Sequence, residues 1–152
     1  MSKQLNFAQQ MDEVLKTLGP QRPKLLLHAC CGPCSSAVLE KLCRYFEITV
    51  LYYNPNTWPA EEYYRRGEEL KKFVAQAHPL GVTVIEDRYD PQEFYTAVKG
   101  LENEPEKGAR CTVCFRLRLG GNHNADIRYL QSSRQFQVVL CFLHSAFQTF
   151  RH

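Results

Sequence analysis

Apolar and polar positions follow two different periods along the first 119 residues, and the switches between them mark the expected elements. From about Phe7 to Leu18, Met11, Val14, Leu15 and Leu18 recur at helical spacing, and Gly19-Pro20 ends the run. Leu25–Ala29 is continuous in apolar character, the pattern of a central strand covered on both faces. A second helix follows, capped by Ser35 or Ser36 and reaching about Phe46, with Val38, Leu39 and Leu42 on its core face. Ile48–Tyr53 reads as a strand that Asn54-Pro55-Asn56 stops. Glu61 to about Ala77 is a charged amphipathic helix, and Gly81 leads into a third strand at Val82–Glu86. Asp90-Pro91 opens another helix, and one more begins at Arg110 and runs to Leu119. Strands alternating with helices over short links imply right-handed crossovers and a parallel α/β sheet with flanking helices.

At 152 residues the chain is expected to form about one domain, with no internal repeat and no linker dividing it. No apolar run approaches the roughly 18 to 20 residues of a membrane span. The start, Met1-Ser2-Lys3-Gln4-Leu5, has neither the basic residues nor the apolar stretch of a secretory signal, so the cytoplasm is the expected compartment. The net charge of +3 is mild, and up to Leu119 there are 16 Lys and Arg against 15 Asp and Glu. Charge alone neither requires nor excludes a nucleic-acid partner.

Cysteine placement is what narrows the chemistry. Cys30-Cys31-Gly32-Pro33-Cys34 sits between a strand and a helix, where the first helical amides favour thiolate. Arg110-Cys111-Thr112-Val113-Cys114 opens a later helix. Five cysteines in two short motifs, out of an odd total of seven, indicate a metal or redox centre rather than a disulfide framework. Thiolates are soft ligands, and iron–sulfur clusters take four. Two other readings stay open. Cys31-Gly32-Pro33-Cys34 has the spacing of thioredoxin-like exchange enzymes, although a third cysteine precedes it. A zinc site built from the two motifs would make a metal-stabilised RNA-binding module. Cys43 and Cys141 fall in apolar surroundings and are expected in the core.

Beyond the cysteines, His28 ends the first strand, and Tyr52-Tyr53-Asn54-Pro55-Asn56-Thr57-Trp58-Pro59 forms an aromatic, polar loop at the carboxyl end of the second. Ligands of open α/β sheets bind at that edge. Glu62 and Arg66 are spaced for an ion pair on one helix face, and Arg110, Arg116 and Arg118 are spaced either to meet phosphates or to form a solvated helix face. His28, Tyr53 and Glu62 are the candidates for proton transfer.

Together, His28-Ala-Cys-Cys-Gly-Pro-Cys-Ser-Ser36, Tyr53-Asn-Pro-Asn56 with Trp58-Pro59 and Glu62-Tyr63, and Arg110-Cys-Thr-Val-Cys-Phe-Arg-Leu-Arg118 resemble the QueH-type epoxyqueuosine reductases over about residues 20 to 119. The resemblance implies reduction of epoxyqueuosine to queuosine at the tRNA wobble position, the last step of that modification. It further implies electrons from a separate donor and a fold similar to the nucleotide-binding PP-loop-like (HUP) domains. Carried over by motif, Cys30, Cys31, Cys111 and Cys114 would bind a [4Fe-4S] cluster, and Cys34 would contribute to an additional metal ion beside it.

After Leu119 the composition changes. Residues 120–152 hold one acidic residue, Asp126, three of the five histidines, and no lysine or proline. Val138–Leu143 is a candidate strand there. Members of the family continue with further helices and strands and a late Cys-x-Cys pair that this stretch lacks. Residues 1–119 are therefore expected to form the iron–sulfur domain, incomplete at its C-terminal side. Residues 120–152 are expected to be an out-of-frame tail that packs poorly.

Overall fold

The computed structural model describes residues 7–77, 81–120, 136–141 and 148–150, the last two segments by backbone alone. Helix α1 (Phe7–Thr17) precedes strand β1 (Lys24–Ala29), helix α2 (Gly32–Leu42) and strand β2 (Glu47–Tyr52). Helix α3 (Ala60–Ala77), strand β3 (Val82–Glu86), helix α4 (Pro91–Ala97) and helix α5 (Ala109–Gly120) follow. Strands β4 (Phe136–Cys141) and β5 (Gln148–Phe150) complete a sheet ordered β3-β2-β1-β4-β5.

β1 lies at the centre. It pairs in parallel with β2, from Lys24 opposite Glu47 to Ala29 opposite Tyr52, and with β4, where Leu25 faces Val138 and His28 faces Cys141. β2 pairs in parallel with β3, and β5 runs antiparallel to β4. The strand expected at Val138–Leu143 thus forms at Phe136–Cys141 and enters the sheet beside β1. The side-chain packing expected of residues 120–152, including the core position expected of Cys141, lies outside what is described of them.

The apolar run of β1 is explained by its burial on both faces. Leu25, Leu27 and Ala29 meet Leu39 and Leu42 of α2, Tyr63, Leu70 and Val74 of α3, and Leu15 of α1. Alternate residues point to the other face, where Leu26 packs with Leu51, Tyr53 and Ile85. Cys43 packs half-buried against the larger cluster, as expected. Val14 instead remains exposed, although it shares the apolar stripe of α1.

α2 begins earlier than its serines indicate. Cys31 is the extended N-cap residue, and Pro33, whose fixed backbone angle suits a first turn, is already helical. Ser35 Oγ donates to Cys31 O at 2.8 Å and Ser36 Oγ to Pro33 O at 2.9 Å, so both serines bond back along the helix rather than cap it. At the far end, Arg22 Nη2 donates to the carbonyls of Cys43 and Phe46 at 2.6 and 2.7 Å, satisfying groups that the helix leaves open.

Candidate metal centre at the carboxyl edge of the sheet

The turn from β1 into α2 brings three thiols together. The ligand atoms of Cys30, Cys31 and Cys34 all lie within 4.8 Å of one another, and the Sγ atoms of Cys30 and Cys31 are 3.8 Å apart. Adjacency supplies the first two, and one helical turn returns Cys34 to the same face. No side-chain hydrogen bond caps the start of α2 beside the thiols. Cys30 and Cys31 are half-buried and Cys34 is exposed.

These distances decide which metal centre fits. A tetrahedral ion with metal–sulfur bonds near 2.3 Å holds its thiolates about 3.8 Å apart, whereas cysteines on a four-iron cubane stand about 6 to 7 Å apart. Among the described residues, the group of three or more convergent ligands is Cys30, Cys31 and Cys34. Cys111 and Cys114 are not part of it: Cys111 Sγ instead accepts from the Lys107 amide at 3.3 Å, within its own helix start. The expected [4Fe-4S] cofactor is therefore corrected. The site is a three-cysteine motif, Cys30, Cys31 and Cys34, consistent with a single metal ion rather than a four-iron cluster.

Without a metal, crowding disfavours ionisation. Burial, then the neighbouring Cys31, pushes the Cys30 thiol up. A hydrogen bond with Cys31, followed by desolvation, pushes Cys34 up to about 12. Burial also raises the Cys114 thiol, against the pull of the Arg118 guanidinium. A bound cation would reverse these effects and release the protons.

The other candidate residues separate into distinct environments. His28 is buried, and its Nε2 lies 2.8 Å from the Tyr53 carbonyl, tying β1 to the end of β2. Tyr53 is also buried. Its hydroxyl donates to Glu93, which also receives Arg88. Burial, reinforced by Glu93, raises the Tyr53 phenol well above its ordinary range. Glu62 sits in the first turn of α3, bonded to Arg66 at 2.6 Å and to Arg65 at 2.8 Å. Those bonds hold its carboxyl below the ordinary range. Glu62 and Arg66 thus form the ion pair that their spacing indicates.

The arginines of α5 do not share one role. Arg110 Nη1 donates to Glu102 O at 2.9 Å. Arg118 is only 2% exposed, and its Nη2 donates to Asn54 Oδ1 at 2.7 Å. Asn54 Nδ2 in turn donates to Ala29 O at 3.1 Å, the carbonyl just before Cys30. Arg118 therefore does not face phosphates; it is a buried link between α5 and the cysteine turn. Asn54 and Glu93 were not among the candidate residues. Asn54 had a signal, its place directly after a strand at the ligand-binding edge, whereas Glu93 had none.

Fold and site together define an α/β protein, its sheet parallel from β3 to β4, with three clustered cysteines that could hold a metal ion at the carboxyl edge of the sheet. The chain belongs to the epoxyqueuosine reductase QueH family, whose profile matches residues 25–146. It is 40% identical over 123 residues to the epoxyqueuosine reductase QueH of Streptococcus pyogenes, covering 78% of this chain and 48% of that protein. The Staphylococcus epidermidis protein of the same name is 40% identical over 130 residues, covering 78% and 55%. That of Haemophilus influenzae is 47% identical over 96 residues, covering 62% and 38%. The chain spans about half the length of the first two relatives. Among the described residues, no helix is long and apolar enough to cross a membrane.

Proposed function

We propose that this protein is an oxidoreductase reducing epoxyqueuosine to queuosine at the wobble position of tRNA, with one metal ion held by Cys30, Cys31 and Cys34. The observation that carries this reading is the convergence of three thiols at the strand-to-helix turn of a family member. Two electrons and two protons convert the epoxide to an alkene and release its oxygen as water. The electrons come from a separate donor. When bound, the ion supplies Lewis acidity.

The chain's own residues divide the remaining work. Tyr53, whose phenol burial keeps protonated and whose hydroxyl donates to Glu93, anchors the loop after β2 beside the thiols. Glu62, held ionised by Arg66 and Arg65, is suited to accept hydrogen bonds from the substrate rather than to protonate it. His28 keeps the end of β2 in place through the Tyr53 carbonyl. The modified base must leave the anticodon stack to reach this edge. Trp58, 68% exposed in the loop after β2, offers an aromatic face for it. Central parallel strands in the order β3-β2-β1-β4 support kinship with the PP-loop-like domains.

A thiol-exchange enzyme using Cys31 and Cys34 has less support, because Cys30 lies 3.8 Å from Cys31 and completes a three-donor set. The test is to incubate anaerobically purified, metal-loaded protein with tRNA bearing epoxyqueuosine and a chemical reductant. Mass spectrometry of the nucleosides should show loss of one oxygen, abolished by Cys30→Ser. Unchanged epoxyqueuosine after incubation with folded, metal-loaded protein would refute the reading.

A further inference from the structure

We propose that Arg66 is a substrate contact, its guanidinium gripping a phosphodiester of the tRNA anticodon loop beside the modified nucleotide. This inference rests on the tRNA reading above. α3 carries Arg66 across the start of α2. A Cβ placed on Gly32 would meet Leu70 Cα and Phe73 Cβ at 3.7 Å, so the cysteine turn rests directly on α3. Arg66 lies one helical turn before Leu70, and Glu62 one turn before Arg66. Trp58, largely exposed, sits in the loop from which α3 starts. An open indole, an arginine and the cysteine turn thus follow one another along α3.

The Arg66 guanidinium is held in place but only partly used. Its Nε donates to Glu62 Oε1 at 2.6 Å, which fixes the plane of the group. Among the described residues neither of its Nη groups has a hydrogen-bond partner, and the side chain is 41% exposed. The neighbouring Arg65 differs: it uses Nε, Nη1 and Nη2 on Glu62 and Glu69. Arg66 is therefore left with the two-nitrogen fork that matches a pair of phosphate oxygens. Glu62 foremost, against desolvation, favours the charged guanidinium, and Cys31 and Tyr52 are close enough to add to it. Single-stranded nucleotides are held by a base on an aromatic face and a phosphate on a cation. The phosphodiester is the anionic group that tRNA offers, and it is the partner that the open fork lacks.

Fluorescence anisotropy of labelled tRNA bearing epoxyqueuosine, titrated with the full chain at several salt concentrations, tests this. Each phosphate contact on a single strand contributes about 0.7 to the slope of log affinity against log salt. Arg66→Gln should flatten the slope by about that amount and weaken binding by about tenfold, the scale of one charge-assisted bond. Arg66→Lys keeps a point charge without the fork, so it should keep the slope and lose part of the affinity. Arg44→Gln removes the same charge just past the far end of α2 and should change neither. Unchanged slope and affinity in Arg66→Gln overturn the proposal. So does an equal fall in Arg44→Gln, which would mark net charge, or equal loss in both Arg66 variants, which would mark packing. Should Arg66→Gln not fold, full affinity in Arg66→Lys overturns it. Calorimetry with inorganic phosphate is the second arm: binding that Arg66→Gln abolishes while tRNA affinity stays unmoved would assign the fork to a free anion and overturn the RNA contact. Failure of the unmodified chain to bind tRNA overturns the tRNA reading itself, and the Arg66 contact falls with it.

Discussion

The Sγ atoms of Cys30 and Cys31 lie 3.8 Å apart, the separation of two thiolates on one tetrahedral ion. Zinc should therefore bind with a stoichiometry of one ion per chain. Cys34→Ser should weaken it by an order of magnitude or more, whereas Cys111→Ser should leave it nearly unchanged. Chelator competition measures both. Equal losses in the two variants would restore Cys111 to the ligand set.

Cys34 is exposed, yet its thiol is pushed up to about 12, first by the hydrogen bond with Cys31. The thiolate is the species that alkylates, so metal-free protein at pH 9 should react with iodoacetamide at Cys34 far more slowly than an unhindered cysteine. The rate should keep rising as pH approaches the raised value. The sign for stability follows: the neutral thiol favours the folded state below its ordinary value, and this contribution is lost as pH rises through the folded one. Cys31→Ala removes the largest cause and should speed the reaction. Peptide mapping by mass spectrometry resolves the site.

Gly67 of α3 faces the ring of Tyr52. A Cβ there would meet Cε1 at 3.0 Å and Cδ1 at 3.3 Å. The ring is fully buried and its hydroxyl donates to Tyr63 O at 2.6 Å, so it has little room to retreat. Gly67→Ala gains about 1 kcal/mol of helix propensity but meets an overpacking cost of about 1 to 3 kcal/mol. Net destabilisation of about 1 kcal/mol is expected in urea unfolding. A stabilised variant would show that the ring yields.

Glu62 carries a depressed carboxyl pKa because Arg66 and Arg65 donate to it. Its ion pairs stabilise the folded state above the ordinary glutamate value of about 4.3, and the effect is lost as pH falls through the lower folded value. The melting temperature of Glu62→Gln should accordingly lie below that of the unmodified protein at pH 7, and the gap should close as pH falls through the lowered folded value. High salt should narrow the gap, since the pairs are at the surface. A difference that persists in acid would assign Glu62 a role other than charge.

Much of the architecture was determined by sequence alone, because it rests on interactions between residues close along the chain. Helical spacing in Phe7–Leu18 and Glu61–Ala77, and the unbroken apolar run at Leu25–Ala29, specify elements whatever lies around them. The three-thiol turn is likewise local, since five consecutive residues and one helical turn bring Cys30, Cys31 and Cys34 together. Tertiary structure alone decided the rest. Whether Cys111 and Cys114 join that group depends on how α5 packs, and motif spacing carries no distance across the fold. Arg118 and Asn54 are 64 residues apart, and only their meeting turns a residue spaced for phosphate contact into a buried cation behind the cysteines. Val14 sits on an apolar stripe yet stays exposed, because periodicity states which face a residue shares but not whether a neighbour covers it.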